Sequence, residues 1–182
     1  MKIMHKKTLL GLCFITFVFF LIFNGVKINK MYPSYKSIRY SLSEQFYIDN
    51  IGYTFNNFEI LKHEDFISKY PSAHTYKDEQ INIIINLEIE NKDNVKRNVS
   101  MSNFLLESNG WSTNMSIYTF FSLNNFVSES TVTLKPKEKK SLTLPFTYYK
   151  LYNEEIDYYK FINNSFFLNC YVKYPEKIGV IL

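Results

Sequence analysis

The sequence predicts an all-β protein: an antiparallel β-sandwich of about seven or eight strands behind one N-terminal transmembrane helix. Three features predict it. In QINIIINLEIEN, residues 80–91, Ile81, Ile83, Ile85, Leu87 and Ile89 share one face, while Asn82, Asn86, Glu88 and Glu90 share the other. Only Ile84 breaks this period of two, and a helix would spread the same five apolar residues around its circumference. Similar short alternating segments recur between polar turns, with no repeat of about 20 to 50 residues to suggest a solenoid. Finally, the chain opens with MKIMHKKTLLGLCFITFVFFLIFNGVK, a few lysines followed by an almost unbroken apolar run.

That run extends from Thr8 to Phe23, and Val26 carries it across Asn24 and Gly25 to about 19 residues, enough to cross a hydrocarbon core. Phe, Leu, Ile and Val cover every face, which argues against a helix laid on a protein core. The exit FNGVKINKM offers no pair of small residues for signal cleavage, and Leu12 before Cys13 does not suit lipoprotein processing. Residues 1–26 are therefore expected to form an uncleaved anchor. Lys2, Lys6 and Lys7 before the span nearly balance Lys27, Lys30, Lys36 and Arg39 after it. The short basic tail favours the N-terminus inside and the domain outside. Residues 27–39 lack a clean period and contain Pro33, so they are expected to form a stalk, with the sandwich occupying residues 40–182.

Within the domain, SLSEQFYIDNIGYTFNNFEIL alternates on both sides of Asp49-Asn50, which predicts a hairpin, and its phase slips at Asn56-Asn57, which predicts a bulge. LKHEDFISKYPSAHTYKDEQ is polar, with one short helical turn expected near Glu64 and Asp65. After the central strand, residues 91–94 are a turn by composition. Val99 and Met101, then Phe104 and Leu106, predict a strand with a phase shift before the turn Ser108-Asn109-Gly110. Trp111, Met115, Ile117, Thr119 and Phe121 predict continued strand as far as Leu123. TVTLKPKEKKSLTLPF, residues 131–146, reads as a hairpin in which Val132 and Leu134 match Leu142, Leu144 and Phe146 across a charged tip. Tyr148–Ser165 is ambiguous, with Ile156, Tyr159 and Ile162 on one face of a possible short helix. Leu168, Cys170, Val172 and Tyr174 alternate, and Ile178, Val180 and Leu182 close the chain as a last strand.

Several of these phrases resemble telokin-like, immunoglobulin-fold domains of bacterial surface proteins. SLSEQFYIDNIGYTFNNFEIL is similar to their opening hairpin, INIIINLEIEN to their long central strand ending in Asn, and TLKPKEKKSLTLPF to their leucine–proline hairpin. The order of the central strand, Trp111, Leu123-Asn124, the Leu-x-Pro hairpin and VKYPEKIGVIL resembles a family of membrane-anchored proteins of Gram-positive bacteria over roughly residues 40–182. The resemblance implies an immunoglobulin-like sandwich behind one membrane segment, with no activity attached. Ser43 and Lys137 stand where that pattern carries glycine, so looser turns, or turns of another type, are expected there.

The composition excludes some functions. The whole chain carries +4, but without Lys2, Lys6 and Lys7 the balance is 18 basic to 17 acidic residues. Without Lys27, Lys30, Lys36 and Arg39 as well it is 14 to 17. A mildly acidic domain is not a nucleic-acid binder, although the stalk charges suit anionic headgroups. Cys13 and Cys170 lie too far apart in role to staple the domain, and Cys170 is expected to point inward as a small hydrophobe. His63, Glu64 and Asp65, with His74 beyond them, lack the second histidine of a helical zinc motif and are expected to be a solvated loop. Glu154, Glu155 and Asp157 read as solvating charges, and no nucleophile elbow or phosphate-cradling glycine loop is present. No catalytic, metal or cofactor residue is assigned.

The candidate partner surface is aromatic: Tyr148, Tyr149, Tyr152, Tyr158, Tyr159 and Phe161 fall within 14 residues. Tyrosine gives large contact area at low entropic cost, though alternate members of the set could equally cap the core. The function expected is a non-enzymatic protein- or ligand-binding module at the cell membrane, with a protein or peptide partner at the cell surface. Two alternatives stand beside it. One is an accessory or immunity-like protein that sequesters a peptide toxin or antibiotic by strand addition, or assists a transporter. The other is a small surface hydrolase built on His63 and Asp65.

Overall fold

The computed structural model describes the chain except residues 1, 32–35, 74–79, 109, 126, 128, 150–157 and 174–175. It divides into two units, Met1–Lys36 and Ser37–Leu182.

The first unit is one helix, α1 (Lys2–Met31). At about 1.5 Å per residue it is some 45 Å long, and its Phe14–Met31 stretch is apolar enough to cross a membrane. Asn24 interrupts the apolar surface, and its Nδ2 donates to the Phe20 carbonyl at 2.8 Å. The polar side chain is thereby satisfied within the helix. The segment expected to be a stalk is divided instead: Lys27 to Met31 continue α1, and Lys36 to Arg39 already belong to the first strand, β1 (Lys36–Ser41). The helix is continuous through residues 27–31, and alternation of Ile38 and Tyr40 supplies the strand that the basic residues obscured.

In the second unit β2 (Gln45–Ile48) and β3 (Ile51–Lys62) form the expected hairpin. Asp49 and Asn50 take φ of 48° and 64°, the two positive values that a type I′ turn demands and that Asp and Asn tolerate. The phase slip is a bulge between Phe55 and Asn57 in the pairing with β4 (Gln80–Asn91). Between them α2 (His63–Lys69) places Glu64 and Asp65 in its first turn and Lys69 in its last, matching the helix dipole. This helix packs on β3 and β4. It accounts for Ile84: Ile84 and Phe66 are buried but stand outside the main core cluster, on the opposite face of the sheet.

Next come β5 (Arg97–Ser100), a 3₁₀ turn at Met101–Asn103, and β6 (Leu105–Ser108), so the predicted phase shift is a turn of helix. β7 (Trp111–Asn114) follows, then α3 (Ile117–Leu123) where continued strand is predicted. The remaining elements are β8 (Thr131–Leu134), β9 (Lys139–Tyr149), α4 (Tyr158–Ile162), β10 (Phe167–Lys173) and β11 (Glu176–Ile181).

Among the described residues the strands make three sheets, β1-β11-β10-β6-β7, β2-β3-β4-β9 and the pair β5-β8, with antiparallel pairing from β11 through β10 and β6 to β7, throughout the second sheet and between β5 and β8. β8 and β9 are thus not a hairpin. β8 pairs with β5 and β9 with β4, the chain crossing between sheets at Lys135–Glu138. The buried Asn91 side chain holds that crossing, donating through Nδ2 to the carbonyls of Val95 at 2.8 Å and Lys135 at 2.9 Å. Lys137 has φ of 63° and Ser43 has φ of 66°. Both keep the conformation that glycine would supply, which corrects the expectation of different turns. Ser43 Oγ donates to the Asn56 carbonyl at 3.1 Å and the Lys137 ammonium to the Lys92 carbonyl. These bonds offset the left-handed strain of about 1 kcal/mol each.

One core joins the sheets. Phe55, Ile83, Ile85 and Phe146 from one sheet meet Leu106, Leu168 and Val180 from another, with Val132 and Leu134 from the third. Each fully buried side chain of this size contributes about 1.5–3 kcal/mol, which lets the core stand without a disulfide.

Candidate functional site

The aromatic segment divides into a buried part and an exposed part. Trp111 in β7, Tyr148 in β9, Phe161 in α4 and Phe166 before β10 form a cluster. Tyr148 lies 4.8 Å from Phe161 and 5.0 Å from Trp111, and Phe161 stacks on Trp111 at 5.6 Å, all between ring centroids. Phe161 is only 6% exposed and belongs to the main core. Its place in the partner surface is therefore corrected: α4 uses it to dock on the sandwich. Tyr148 is half-buried against the same core. Tyr149 and Tyr159 are exposed, at 42% and 74%. Tyr158 opens α4, and Tyr152 lies outside the described residues, as do Glu154, Glu155 and Asp157.

The His63 region is not a solvated loop throughout. His63 is buried, and its Nδ1 sits 2.9 Å from Gln80 Nε2, while Glu64 and Asp65 are exposed. His74 lies outside the described residues. Among the described residues no three His, Cys, Asp or Glu side chains converge as a metal site would need. Cys170 is buried, burial raises its thiol pKa well above the usual range, and its Sγ faces the Leu168 carbonyl at 3.5 Å. Such a thiol is a poor nucleophile. The basic tip at Lys137, Lys139 and Lys140 is occupied locally: Lys139 Nζ lies 3.3 Å from Glu88, and Lys140 Nζ donates to the Thr133 carbonyl at 2.8 Å.

A second site was not foreseen. The outer face of the five-stranded sheet carries a cleft of about 510 Å³, lined by Arg39 of β1, Lys177 and Ile181 of β11, Phe167 of β10 and Glu107 of β6, with serines at its rim. Lys177 Nζ binds both oxygens of Glu107, at 3.0 and 2.7 Å. The Arg39 guanidinium carbon and Lys177 Nζ each lie 5.6 Å from the centre of the Phe167 ring, within cation–π range. Gly179 makes this arrangement possible. A Cβ there would come within 2.6 Å of Phe167 Cζ and 2.4 Å of the Leu168 carbonyl oxygen, so only a bare backbone lets the ring lie against β11. The residues are far apart in sequence and meet only through the strand order β1-β11-β10-β6, which no local pattern reveals.

Antiparallel sheets closed on one core, with a helix long and apolar enough to cross a membrane ahead of them, define the chain as a β-sandwich domain protein. Residues 38–177 match the family described as "Domain of unknown function (DUF5028)", and the chain belongs to that family. No curated protein matches it. Among solved structures, it is similar to an uncharacterized β-sandwich protein of Clostridium difficile 630, at 14% identity and a TM-score of 0.48, with 82% of this chain and 96% of that one covered. It is also similar to ycdA of Bacillus subtilis, provisionally described as a lipoprotein, at 12% identity and a TM-score of 0.50. That match covers 79% of this chain and 39% of the other. At such identities the likeness concerns the fold alone.

Proposed function

We propose that this protein is a single-pass, membrane-anchored binding module, its immunoglobulin-like sandwich held outside the cytoplasm and engaging a protein or peptide partner without catalysing a reaction. The observation that carries the reading is the surface of α1. Phe14, Phe17, Phe19, Phe20 and Phe23 are each more than half exposed within their own unit. In water every such ring forfeits about 1.5–3 kcal/mol, which a bilayer restores. Attachment to a membrane neighbour or peptide then falls to the sandwich, where Tyr149 and Tyr159 offer exposed aromatic area. The sheets packed on one core and the crossing between them at Lys135–Glu138 support the immunoglobulin-like, telokin-like reading.

Fractionation of expressing cells tests the anchor. The full chain should remain in the membrane pellet through alkaline carbonate and leave it only with detergent, and an epitope after Leu182 should bind antibody on intact cells. Full-length protein in the detergent-free soluble fraction, or an epitope reached only after lysis, overturns this placement. Photo-crosslinking residues at positions 149 and 159 should give one discrete adduct in cells, and none from position 64 on α2.

A further inference from the structure

We propose that the cleft on the outer face of the five-stranded sheet binds a carboxylate carried on a small apolar body, with Arg39 as the residue that takes the carboxylate. The proposal depends on neither the tyrosine surface nor the anchor.

Charge selects the ligand's sign. Three charged side chains line the cleft, and two of them, Lys177 and Glu107, neutralise each other through a contact that uses both carboxylate oxygens. Arg39 leaves one net positive charge. Its Nε makes a long bond of 3.4 Å to Ser37 Oγ, and among the described residues its two terminal nitrogens have no hydrogen-bond acceptor and no carboxylate partner. A guanidinium fork of this kind matches the two oxygens of one carboxylate. It is also held in place beforehand: the Phe167 ring lies 5.6 Å beneath it, and that ring is fixed by its seat on Gly179. Ordering the fork in advance lowers the entropic cost of binding.

The remaining lining selects the body of the ligand. Phe167 and the Ile181 side chain, 46% exposed, present apolar surface beside the cation. A bare inorganic anion would leave that surface unused. The volume of about 510 Å³ lies within the usual range for small-ligand sites and suits an acylated amino acid or the carboxyl end of a short peptide.

Titration calorimetry on the full chain in non-ionic detergent tests the site, with N-acetylphenylalanine as probe and protein-free micelles of the same detergent as the blank for detergent uptake. Saturable binding of the acid is expected, with N-acetylphenylalanine amide and inorganic phosphate each weaker by about tenfold or more. Arg39→Gln should reduce acid binding by about tenfold or more with an unchanged melting temperature, since Arg39 is exposed and outside the core. Glu107→Gln should strengthen binding of both the acid and phosphate. Equal binding of acid and amide, tighter binding of phosphate than acid, an unaffected Arg39→Gln protein, or no saturable binding by any probe overturns the proposal.

Discussion

Gly179 and Gly110 show how two glycines can be required for unrelated reasons. Gly110 has φ of +83°, and nothing would touch a Cβ built there. Gly179 takes no such backbone angle, yet a Cβ there would meet the Leu168 carbonyl oxygen at 2.4 Å. Alanine at 110 therefore pays only the left-handed penalty, about 1 kcal/mol. Alanine at 179 must part β10 from β11 or expel the Phe167 ring, and the cost is about 3 kcal/mol or more. Urea unfolding of the two variants should rank them in that order. A Gly179→Ala protein as stable as Gly110→Ala would mean that the sheet yields easily there. The same substitution should also disperse Phe167, and the cleft it floors, while Gly110→Ala leaves both in place. The turn at Gly110 is legible in the sequence, whereas Gly179 is explained only by residues on the neighbouring strand.

Among the elements, β4 was the most legible, because five apolar residues at every second position admit no other structure. α3 was not, because Ile117, Thr119 and Phe121 keep the same alternation as Met115 and are β-branched or aromatic, favourable in strands. The tertiary setting overrides that preference through Asn124. Its Nδ2 donates to the carbonyls of Phe120 and Thr143, both at 2.8 Å, and its Oδ1 accepts from the Thr143 amide at 2.9 Å. One buried side chain thus ends the helix and stands in for a neighbouring strand along β9. Ser116, whose amide donates to the Pro145 carbonyl at 2.8 Å, and the Met115–Phe146 bridge continue this closure. The strands at 131–146 were correctly located but wrongly paired, since alternation reports which residues face inward and not which sheet they join. Asn124→Ala should cost about 2–4 kcal/mol by stranding buried backbone groups. Hydrogen exchange would show it locally, with the Thr143 amide losing protection ahead of Ile83 or Ile85 in β4. Retained protection at Thr143 would show that another group closes the edge.

At the scale of the whole molecule, the β-rich body and the apolar helix were legible because the strands alternate with a period of two while the helix is apolar on every face. The cleft was not, because Arg39, Glu107, Phe167 and Lys177 become neighbours only after the strands are ordered. That ordering rests on one core to which all three sheets contribute, with Cys170 among its buried members. A sandwich built this way has no sheet that can open while keeping its apolar face covered, so the domain should unfold as a unit. Cys170 reports on this directly. Burial raises its pKa and blocks access, so a thiol reagent should not modify it in the native state. In a Cys13→Ser protein in detergent, alkylation of Cys170 across a urea series should rise at the same midpoint as the loss of strand signal in circular dichroism. Labelling at clearly lower urea would show that β10 detaches from the core while β3, β4 and β9 remain paired, and the sandwich would then comprise two folding units that share a face.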